Sequence, residues 1–204
     1  MSAQKAKYSY IKTLNDTNHS RLYILDNFGD DGLGCYYLGE NKSRVIESTV
    51  FSLIHKIIKE NGFSDLIFCG SSKGGYAALN FGFEFPNSTI IAGSPQYKLG
   101  YYLEHRKSKS LLHVILGKTY TTDDILELDD NIKNKITNNA DKHTYNIYLH
   151  FSKNEHTYHE HVIHMLKDLN DYNYSFDVDI ATYLEHDEVG TYFPNYLRRI
   201  IKQL

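Results

Sequence analysis

The stretch Leu66–Leu79, which reads LIFCGSSKGGYAAL, decides the fold of this chain. It begins with an apolar run that predicts a buried β-strand, Asp65–Cys69, and it ends with an alanine-rich run that predicts an α-helix, Lys73–Phe83. Between them lies the pattern G-x-S-x-G, at Gly70–Gly74. A strand, this pattern and a helix in direct succession are typical of a nucleophile elbow, a sharp turn that exposes a reactive serine. The sequence therefore predicts that Ser72 is a catalytic nucleophile.

Two glycines flank the predicted nucleophile, because such an elbow leaves little room for larger side chains. Gly70 and Gly74 lie two residues on either side of Ser72, where the strand and the helix should come closest. The turn also places the serine at the positive end of a helix, so the backbone N–H of Lys73 is a candidate oxyanion donor. A glycine-rich phosphate loop is the alternative, but neither the G-x-x-x-x-G-K-[ST] spacing nor the dinucleotide pattern G-x-G-x-x-G is present.

Strands and helices alternate on both sides of the elbow. Such alternation implies crossover connections and a mostly parallel central sheet of about five strands, flanked by helices. We therefore expect a single α/β domain over residues 1–204. The other predicted strands are Arg21–Asp26, Thr89–Ala92, Tyr145–Phe151 and Ser175–Ala181, and the other predicted helices are Lys5–Leu14, Val45–Glu60, Lys98–Asn138 with a break near Gly117–Thr122, Tyr158–Leu169 and Tyr192–Leu204.

An elbow serine needs a histidine base and a carboxylate behind it, and in this arrangement the chain order is serine, acid, histidine. The acid should follow a strand after the elbow, and Glu155 lies just after the strand that ends at Phe151. The histidine should precede the last helix, and His186 lies between the last predicted strand and that helix. We therefore predict that Glu155 orients His186, which acts as the base for Ser72.

Other titratable residues compete with this assignment. Asp187 neighbours His186, but adjacent side chains rarely make the Nδ1 contact, so a surface role is favoured for it. Four histidines, His156, His159, His161 and His164, have spacings that could suggest a metal site. The zinc pattern H-E-x-x-H is absent, so we expect a solvated, histidine-rich helix start and no metal. His156 remains a minor rival to His186 as the base.

The composition of the chain excludes several classes of partner. Its 22 Lys and Arg against 25 Asp and Glu give a formal net charge of -3, which provides no broad positive surface for nucleic acid. No stretch approaches the roughly 20 consecutive apolar residues that span a membrane, and Met1–Lys7 lacks the apolar core of a signal peptide. We therefore expect a cytoplasmic protein.

Four segments of the chain resemble a known group of proteins. They are GSSKGG at 70–75, AGSPQYKL at 92–99, SKNEHTY at 152–158 and HDE at 186–188. Together they resemble bacterial capsular-polysaccharide O-acetyltransferases of the α/β-hydrolase fold and the XcbB/CpsF family of capsule-biosynthesis proteins. A more distant resemblance is to the accessory Sec component that O-acetylates glycans on adhesins. The resemblance covers most of the chain, from about Tyr10 to the end.

This resemblance implies a triad of Ser72, Glu155 and His186. It also implies acetyl-CoA as the acyl donor, no permanently bound cofactor, and a polysaccharide or glycan hydroxyl as the acceptor. A carboxylesterase or deacetylase of acylated glycans would use the same residues, so it remains an alternative. A non-catalytic, hydrolase-like subunit of capsule biosynthesis is a second alternative.

The chain departs from the resembling proteins at two points. The acid is Glu155, where an Asp is commoner, although the longer side chain can still reach an imidazole. The strand and loop that normally supply a second oxyanion donor are missing before the predicted first helix, so the fold looks shortened at its N-terminus. Asn27 or Phe28 is expected to supply that donor instead. The same gap should leave Arg21–Asp26 near a sheet edge, which favours a homodimer or a capsule-biosynthesis partner.

Overall fold

The computed structural model describes residues 6–29, 32–105, 109–141 and 144–204. Its described residues form a sheet of four parallel strands in the order β1-β2-β3-β4, so each strand pairs with the next one along the chain. The predicted fold class, a mostly parallel sheet flanked by helices, is confirmed, with four strands where about five were expected. The strands are β1 Ile67–Ser71, β2 Thr89–Gly93, β3 Asn146–Ser152 and β4 Phe176–Ala181.

Helices connect the strands and cover the sheet. The α-helices are α1 Val45–Asn61, α2 Lys73–Gly82, α3 Leu99–His105, α4 Lys109–Leu116, α5 Thr122–Asp129, α6 Asn131–Asn139, α7 Ile163–Asp171 and α8 Val189–Ile201. A π-helical turn over Tyr158–Val162 precedes α7, and a 3₁₀ turn over His186–Glu188 precedes α8. The helix predicted over Val45–Glu60 extends one residue further, to Asn61, and Gly62 ends it with φ 69° and an N–H that donates to the Ile58 carbonyl.

The alternating side chains of β2 explain why the sheet is covered on both faces. Ile90 and Ala92 belong to a large apolar cluster on one face, which includes residues of α2 to α7. Ile91 points the other way, into a smaller cluster with residues of α8 such as Phe193 and Leu197. All five β2 residues are buried, as expected for an internal parallel strand between two helical layers.

The register of the strands sets the place of the functional segments. Ser71 pairs with Gly93 and Gly93 pairs with His150, while Ser152 pairs with Ala181. Because the strands are parallel, the loops that follow all four emerge at the same edge of the sheet. Residues after each strand therefore converge there, which is where ligand sites of open α/β sheets lie.

The predicted strand Arg21–Asp26 is wrong, since this segment has no ladder hydrogen bonds among the described residues. Side chains hold it instead: the Tyr37 hydroxyl donates to the Ile24 carbonyl at 2.8 Å, and the Asp26 carboxylate accepts the Cys35 N–H at 3.0 Å. Leu22 is 49% exposed, so the apolar run is only partly buried. Without this strand, β1 is one of the two edge strands of the described sheet, and β4 is the other.

The predicted helix Lys5–Leu14 is also wrong over residues 6–14, and Lys5 itself lies outside the described residues. Tyr10 has a left-handed φ of 61°, a conformation that a regular α-helix does not contain. The N–H of Thr13 donates to the Tyr10 carbonyl at 3.0 Å, so the segment forms turns.

The long helical stretch predicted over Lys98–Asn138 is divided into the four helices α3 to α6, with the expected break before α5. Its residues 106–108 lie outside the described part.

Within the described ranges, no helix is both long and apolar enough to cross a membrane.

Candidate active site

Ser72 occupies a strained turn between β1 and α2. Its φ of 53° and ψ of −119° lie outside the regions that a residue with a side chain ordinarily adopts. The turn is fixed from both sides: the Ser72 N–H donates to the Gly93 carbonyl at 2.8 Å, and the Tyr76 N–H donates to the Ser72 carbonyl at 3.0 Å. This is the conformation expected of an elbow that holds a serine hydroxyl out of the backbone.

The two predicted elbow glycines contribute differently to this turn. A Cβ on Gly70 would lie 2.5 Å from the carbonyl carbon and oxygen of Gly74, so the strand and the helix do come closest here. A Cβ on Gly74 itself would meet nothing within 4 Å. Only Gly70 is therefore required to lack a side chain; Gly74 provides the backbone that approaches it.

His186 lies beside the elbow serine. It begins the 3₁₀ turn that follows β4 and leads into α8, as the sequence predicted for the base. Its Nε2 atom is 2.8 Å from Ser72 Oγ, within hydrogen-bonding distance. When Nε2 accepts the serine proton, Nδ1 carries the ring hydrogen and faces the other way.

Two side chains from the loop after β3 contact Nδ1 of His186. Oε2 of Glu155 lies 3.3 Å away and Oγ1 of Thr157 lies 2.8 Å away. The backbone N–H of Thr157 also donates to the same Glu155 oxygen at 2.9 Å. Thr157 therefore bridges the carboxylate of Glu155 and the imidazole of His186. Glu155 and Thr157 are both buried.

Glu155 is ionised in this environment. Burial alone would raise the pKa of its carboxyl group, but the hydrogen bond and charge of His186, together with the N–H and hydroxyl of Thr157, lower that pKa to about 2. Its side chain is 1% exposed, so little solvent screens the negative charge. Its second oxygen, Oε1, has no hydrogen-bond partner among the described residues.

Sequence reasoning missed two polar residues of this site. Gln96, in the loop after β2, places Nε2 at 2.8 Å from Ser72 Oγ and 3.2 Å from His186 Nε2. Thr157 is the second. Gln96 belongs to the Ser94–Gln96 segment that contributed to the family resemblance, but no spacing rule gave that glutamine a role. Only the parallel register brings these loops together.

The residues predicted to form the oxyanion site, Lys73, Asn27 and Phe28, are connected through the ion pair between Lys73 and Asp26. Lys73 is the first residue of α2, and its Nζ atom lies 2.6 Å from Oδ2 of the buried Asp26 and 2.9 Å from the Leu33 carbonyl. This side chain ties the loop that starts at Asp26 to the elbow. Asn27 and Phe28 directly follow Asp26, and no hydrogen bond joins either of them to Ser72 among the described residues. Their role as the second donor stays a prediction.

The N-terminal segment also contacts the elbow. The Tyr10 hydroxyl is hydrogen-bonded to Oγ of Ser71, the residue before Ser72. The ring of Tyr10 lies against Phe193 of α8, with centroids 5.5 Å apart. This segment therefore packs between the elbow and α8 without joining the sheet.

The histidine-rich stretch is only partly solvated. His161 is fully buried, accepts the Lys98 N–H on Nδ1 at 3.2 Å, and burial lowers its pKa to about 3. The expectation that the whole stretch faces solvent is therefore wrong for His161.

Among the described residues, one group could offer three ligand atoms to a metal ion: Glu155, His156 and His186. Two of its three members are the predicted acid and base. Asp187, the alternative to Glu155 as the acid, is exposed.

Comparisons with known proteins were made on the sequence and on the fold. No protein-family model matches the chain, and no curated protein matches it. The capsule O-acetyltransferase of Neisseria meningitidis serogroup A, solved in complex with caged gadolinium, is similar in structure, with a TM-score of 0.78, 26% identity, and coverage of 97% of this chain and 80% of that one.

Two further solved structures, a capsule O-acetyltransferase mutant and a serine hydrolase, are also similar to this chain in fold. A mutant of the meningococcal enzyme in complex with CoA gives a TM-score of 0.75 at 24% identity, covering 96% of this chain and 80% of that one. A fluorophosphonate-binding serine hydrolase of Staphylococcus aureus gives a TM-score of 0.60 at 15% identity, covering 83% and 67%. The chain thus has an α/β-hydrolase-like fold, similar over nearly its whole length to that of a capsule O-acetyltransferase.

Proposed function

We propose that this protein is a serine acyltransferase that O-acetylates a bacterial capsule or cell-surface polysaccharide. One observation carries the proposal: Ser72 Oγ, both ring nitrogens of His186 and Glu155 Oε2 form one continuous series of contacts at the carboxyl edge of the sheet. The series has the order and the geometry of a nucleophile, a base and an orienting acid.

In the first half-reaction, Ser72 attacks the carbonyl carbon of the acyl donor. His186 Nε2 takes the Ser72 proton as the new C–O bond forms, and the Glu155 carboxylate stabilises the resulting imidazolium. The N–H of Lys73, with Asn27 or Phe28, stabilises the negative charge on the carbonyl oxygen. The bond to the leaving group then breaks, His186 returns the proton to that group, and an acyl-Ser72 ester remains.

In the second half-reaction, a sugar hydroxyl attacks the acyl-Ser72 ester. His186 Nε2 removes the hydroxyl proton, the new ester bond forms, the bond to Ser72 Oγ breaks, and the proton passes to Oγ. The free enzyme is regenerated.

The proposed donor is acetyl-CoA and the proposed acceptor is a polysaccharide hydroxyl. The similarity to a capsule O-acetyltransferase, one mutant of which was solved in complex with CoA, supports both choices. The resemblance of the SPQ and SKNEH segments to capsule O-acetyltransferases agrees with both choices. A homodimer or a capsule-biosynthesis partner stays a prediction, as does a cytoplasmic location.

Two alternatives remain in competition with acyl transfer to a sugar. An esterase or deacetylase would release the acyl group to water through the same residues, and the similarity to a serine hydrolase favours this second candidate. A non-catalytic subunit would have the fold without the chemistry.

A fluorophosphonate probe followed by peptide mapping tests the proposal. We expect covalent labelling at Ser72, and no labelling of Ser72→Ala. The non-catalytic alternative predicts that neither protein is labelled. Comparison of acetate release with acetyl-sugar formation, with acetyl-CoA as donor and purified capsular polysaccharide as acceptor, then separates the esterase from the transferase.

A further inference from the structure

The side chain of Gln96 occupies a position that the reaction itself requires. Gln96 is completely buried, and its Nε2 atom lies 2.8 Å from Ser72 Oγ and 3.2 Å from His186 Nε2. A single nitrogen is therefore within hydrogen-bonding distance of both the nucleophile and the base.

That position overlaps the region that the attacking hydroxyl has to reach in the second half-reaction. The acceptor oxygen has to give its proton to His186 Nε2 and approach the carbonyl carbon attached to Ser72 Oγ, with reacting atoms about 3–3.5 Å apart. An atom within reach of both groups fills this location. The carboxamide of Gln96 therefore stands where an acceptor hydroxyl, or a water molecule, would attack.

This placement differs from that of an oxyanion donor. An oxyanion donor points at the carbonyl oxygen and stays in place throughout the reaction, leaving Nε2 free to exchange protons with the leaving and entering groups. Gln96 lies against Nε2 itself. The expected oxyanion donors lie on another part of the elbow, at the Lys73 backbone and the loop that the Lys73 side chain ties down at Asp26 and Leu33.

The other end of the carboxamide has no fixed attachment. Gln96 Oε1 is buried and has no hydrogen-bond partner among the described residues. A buried acceptor without a donor is unfavourable, so in this position the side chain lacks one hydrogen bond that Oε1 could accept. A rotation that gives Oε1 a donor, such as a hydroxyl of a bound acceptor, satisfies this oxygen and offsets part of the cost of breaking the contacts with Ser72 and His186.

We propose that the Gln96 carboxamide guards the acceptor position and decides whether acyl-Ser72 is passed to a sugar or lost to water. A bound donor displaces it during acylation, and it returns to the position beside His186 when the thiol has left. Water alone, which offers few contacts, displaces it poorly. An acceptor sugar displaces it through its own binding contacts, and a hydroxyl of the sugar other than the attacking one donates a hydrogen bond to Oε1. This inference rests on the proposed function and specifies how that site selects its acceptor.

The test measures the lifetime of acyl-Ser72 in the absence of any sugar. The enzyme is acylated with p-nitrophenyl acetate, excess reagent is removed rapidly, and intact-mass spectrometry follows the decay of the acetylated protein. The variants are Gln96→Ala, which opens the position, and Gln96→Met, which fills it without hydrogen-bonding groups. Gln203→Ala, at an exposed glutamine near the end of α8, is the matched control. Thermal unfolding verifies that each variant is folded.

We expect acyl-Ser72 to decay about tenfold faster or more in Gln96→Ala, since water then reaches the ester. Gln96→Met and Gln203→Ala should keep the slow decay. Unchanged decay in Gln96→Ala overturns the inference. So does a parallel loss of about 10²-fold or more in both acylation and decay, which would identify Gln96 as an oxyanion donor.

Failure of the proposed function gives a different result. If the parent protein forms no acyl-Ser72 at all, then the proposed function is wrong and the inference falls with it. If the parent protein is acylated and only the Gln96 variants behave otherwise than expected, then the inference alone is wrong.

Discussion

Replacing Glu155 by Gln removes one negative charge from behind His186 while keeping the size of the side chain. The carboxylate lies 3.3 Å from His186 Nδ1 and is 1% exposed, so its charge acts on the imidazole with little solvent screening. In the proposed mechanism the imidazole becomes positively charged in each transition state. The variant should therefore lose rate without losing its fold.

The size of the loss follows from the electrostatics of the pair. The pKa of Glu155 is lowered from 4.5 to about 2, against the effect of burial, by His186 and to a smaller extent by Thr157. A shift of this size corresponds to roughly 3 kcal/mol at about 1.4 kcal/mol per pH unit. His186 is the larger of the two contributors, so loss of its interaction with the carboxylate sets the order of magnitude of the fall in kcat at about 10²-fold. A triad that loses its acid can fall by about 10⁴-fold because the imidazole tautomer is wrong. We expect the smaller figure, because the Thr157 hydroxyl still holds Nδ1 at 2.8 Å.

The assay is the steady-state turnover of p-nitrophenyl acetate, measured for Glu155→Gln, Asp187→Asn and Asn154→Ala. The two control residues are exposed neighbours of the acid and the base in sequence, and both control variants should stay within a few-fold of the parent. The double variant that adds Thr157→Val should approach the larger loss. A greater loss in Asp187→Asn than in Glu155→Gln would refute the assignment of the acid.

The remaining predictions concern the elbow, acid stability, metal dependence and assembly. Gly70→Ala should lower the Tm by roughly 5–10 °C, because its Cβ would collide with the Gly74 backbone, whereas Gly74→Ala should leave the Tm nearly unchanged in the same thermal melts. The folded-state pKa of Glu155 is below its unfolded value of 4.5, so its stabilising contribution is present above about pH 4.5 and is lost as the pH falls toward about 2. Urea unfolding across that window should therefore be steeper in pH for the parent than for Glu155→Gln, and equal slopes would argue against an ionised, paired Glu155. Dialysis against EDTA should leave turnover unchanged, and a loss that zinc restores would instead implicate the Glu155, His156 and His186 group. Light scattering should detect a homodimer if a second copy covers the sheet edge, and a concentration-independent monomer would leave only a capsule-biosynthesis partner for that role.

The elbow and the order of its partners were predictable because each depends on local sequence. A strand, G-x-S-x-G and a helix occur within fourteen residues at Leu66–Leu79. Glu155 and His186 follow predicted strands at the positions that a parallel sheet requires. The β2 strand was predictable for the same reason, since both of its faces are buried and its sequence is continuously apolar.

The N-terminal region was not predictable from local pattern. Arg21–Asp26 has the apolar composition of a strand, but Asp26 binds backbone amides and Lys73, which fixes the segment through a side chain. Interactions of this kind depend on the rest of the fold. The turn at Tyr10 likewise depends on contacts with Ser71 and Phe193, far away in sequence.

The polar side chains that complete the site were hidden for a similar reason. Gln96 and Thr157 lie 61 residues apart in the chain, and only the register of β2, β3 and β4 brings both to His186. Neither residue belongs to a spacing motif with a known chemical role. His161 shows the same limit, since a histidine in a polar stretch gave no sign of its complete burial.

Acid-quenched mass spectrometry after incubation with acetyl-CoA would detect the proposed acyl-Ser72 ester itself. We predict one acetyl group on the parent protein, mapped to Ser72, the same adduct on Ser71→Ala, and none on Ser72→Ala. An acetyl group that persists in Ser72→Ala, or a parent protein that acquires none from acetyl-CoA, would contradict acyl transfer through Ser72.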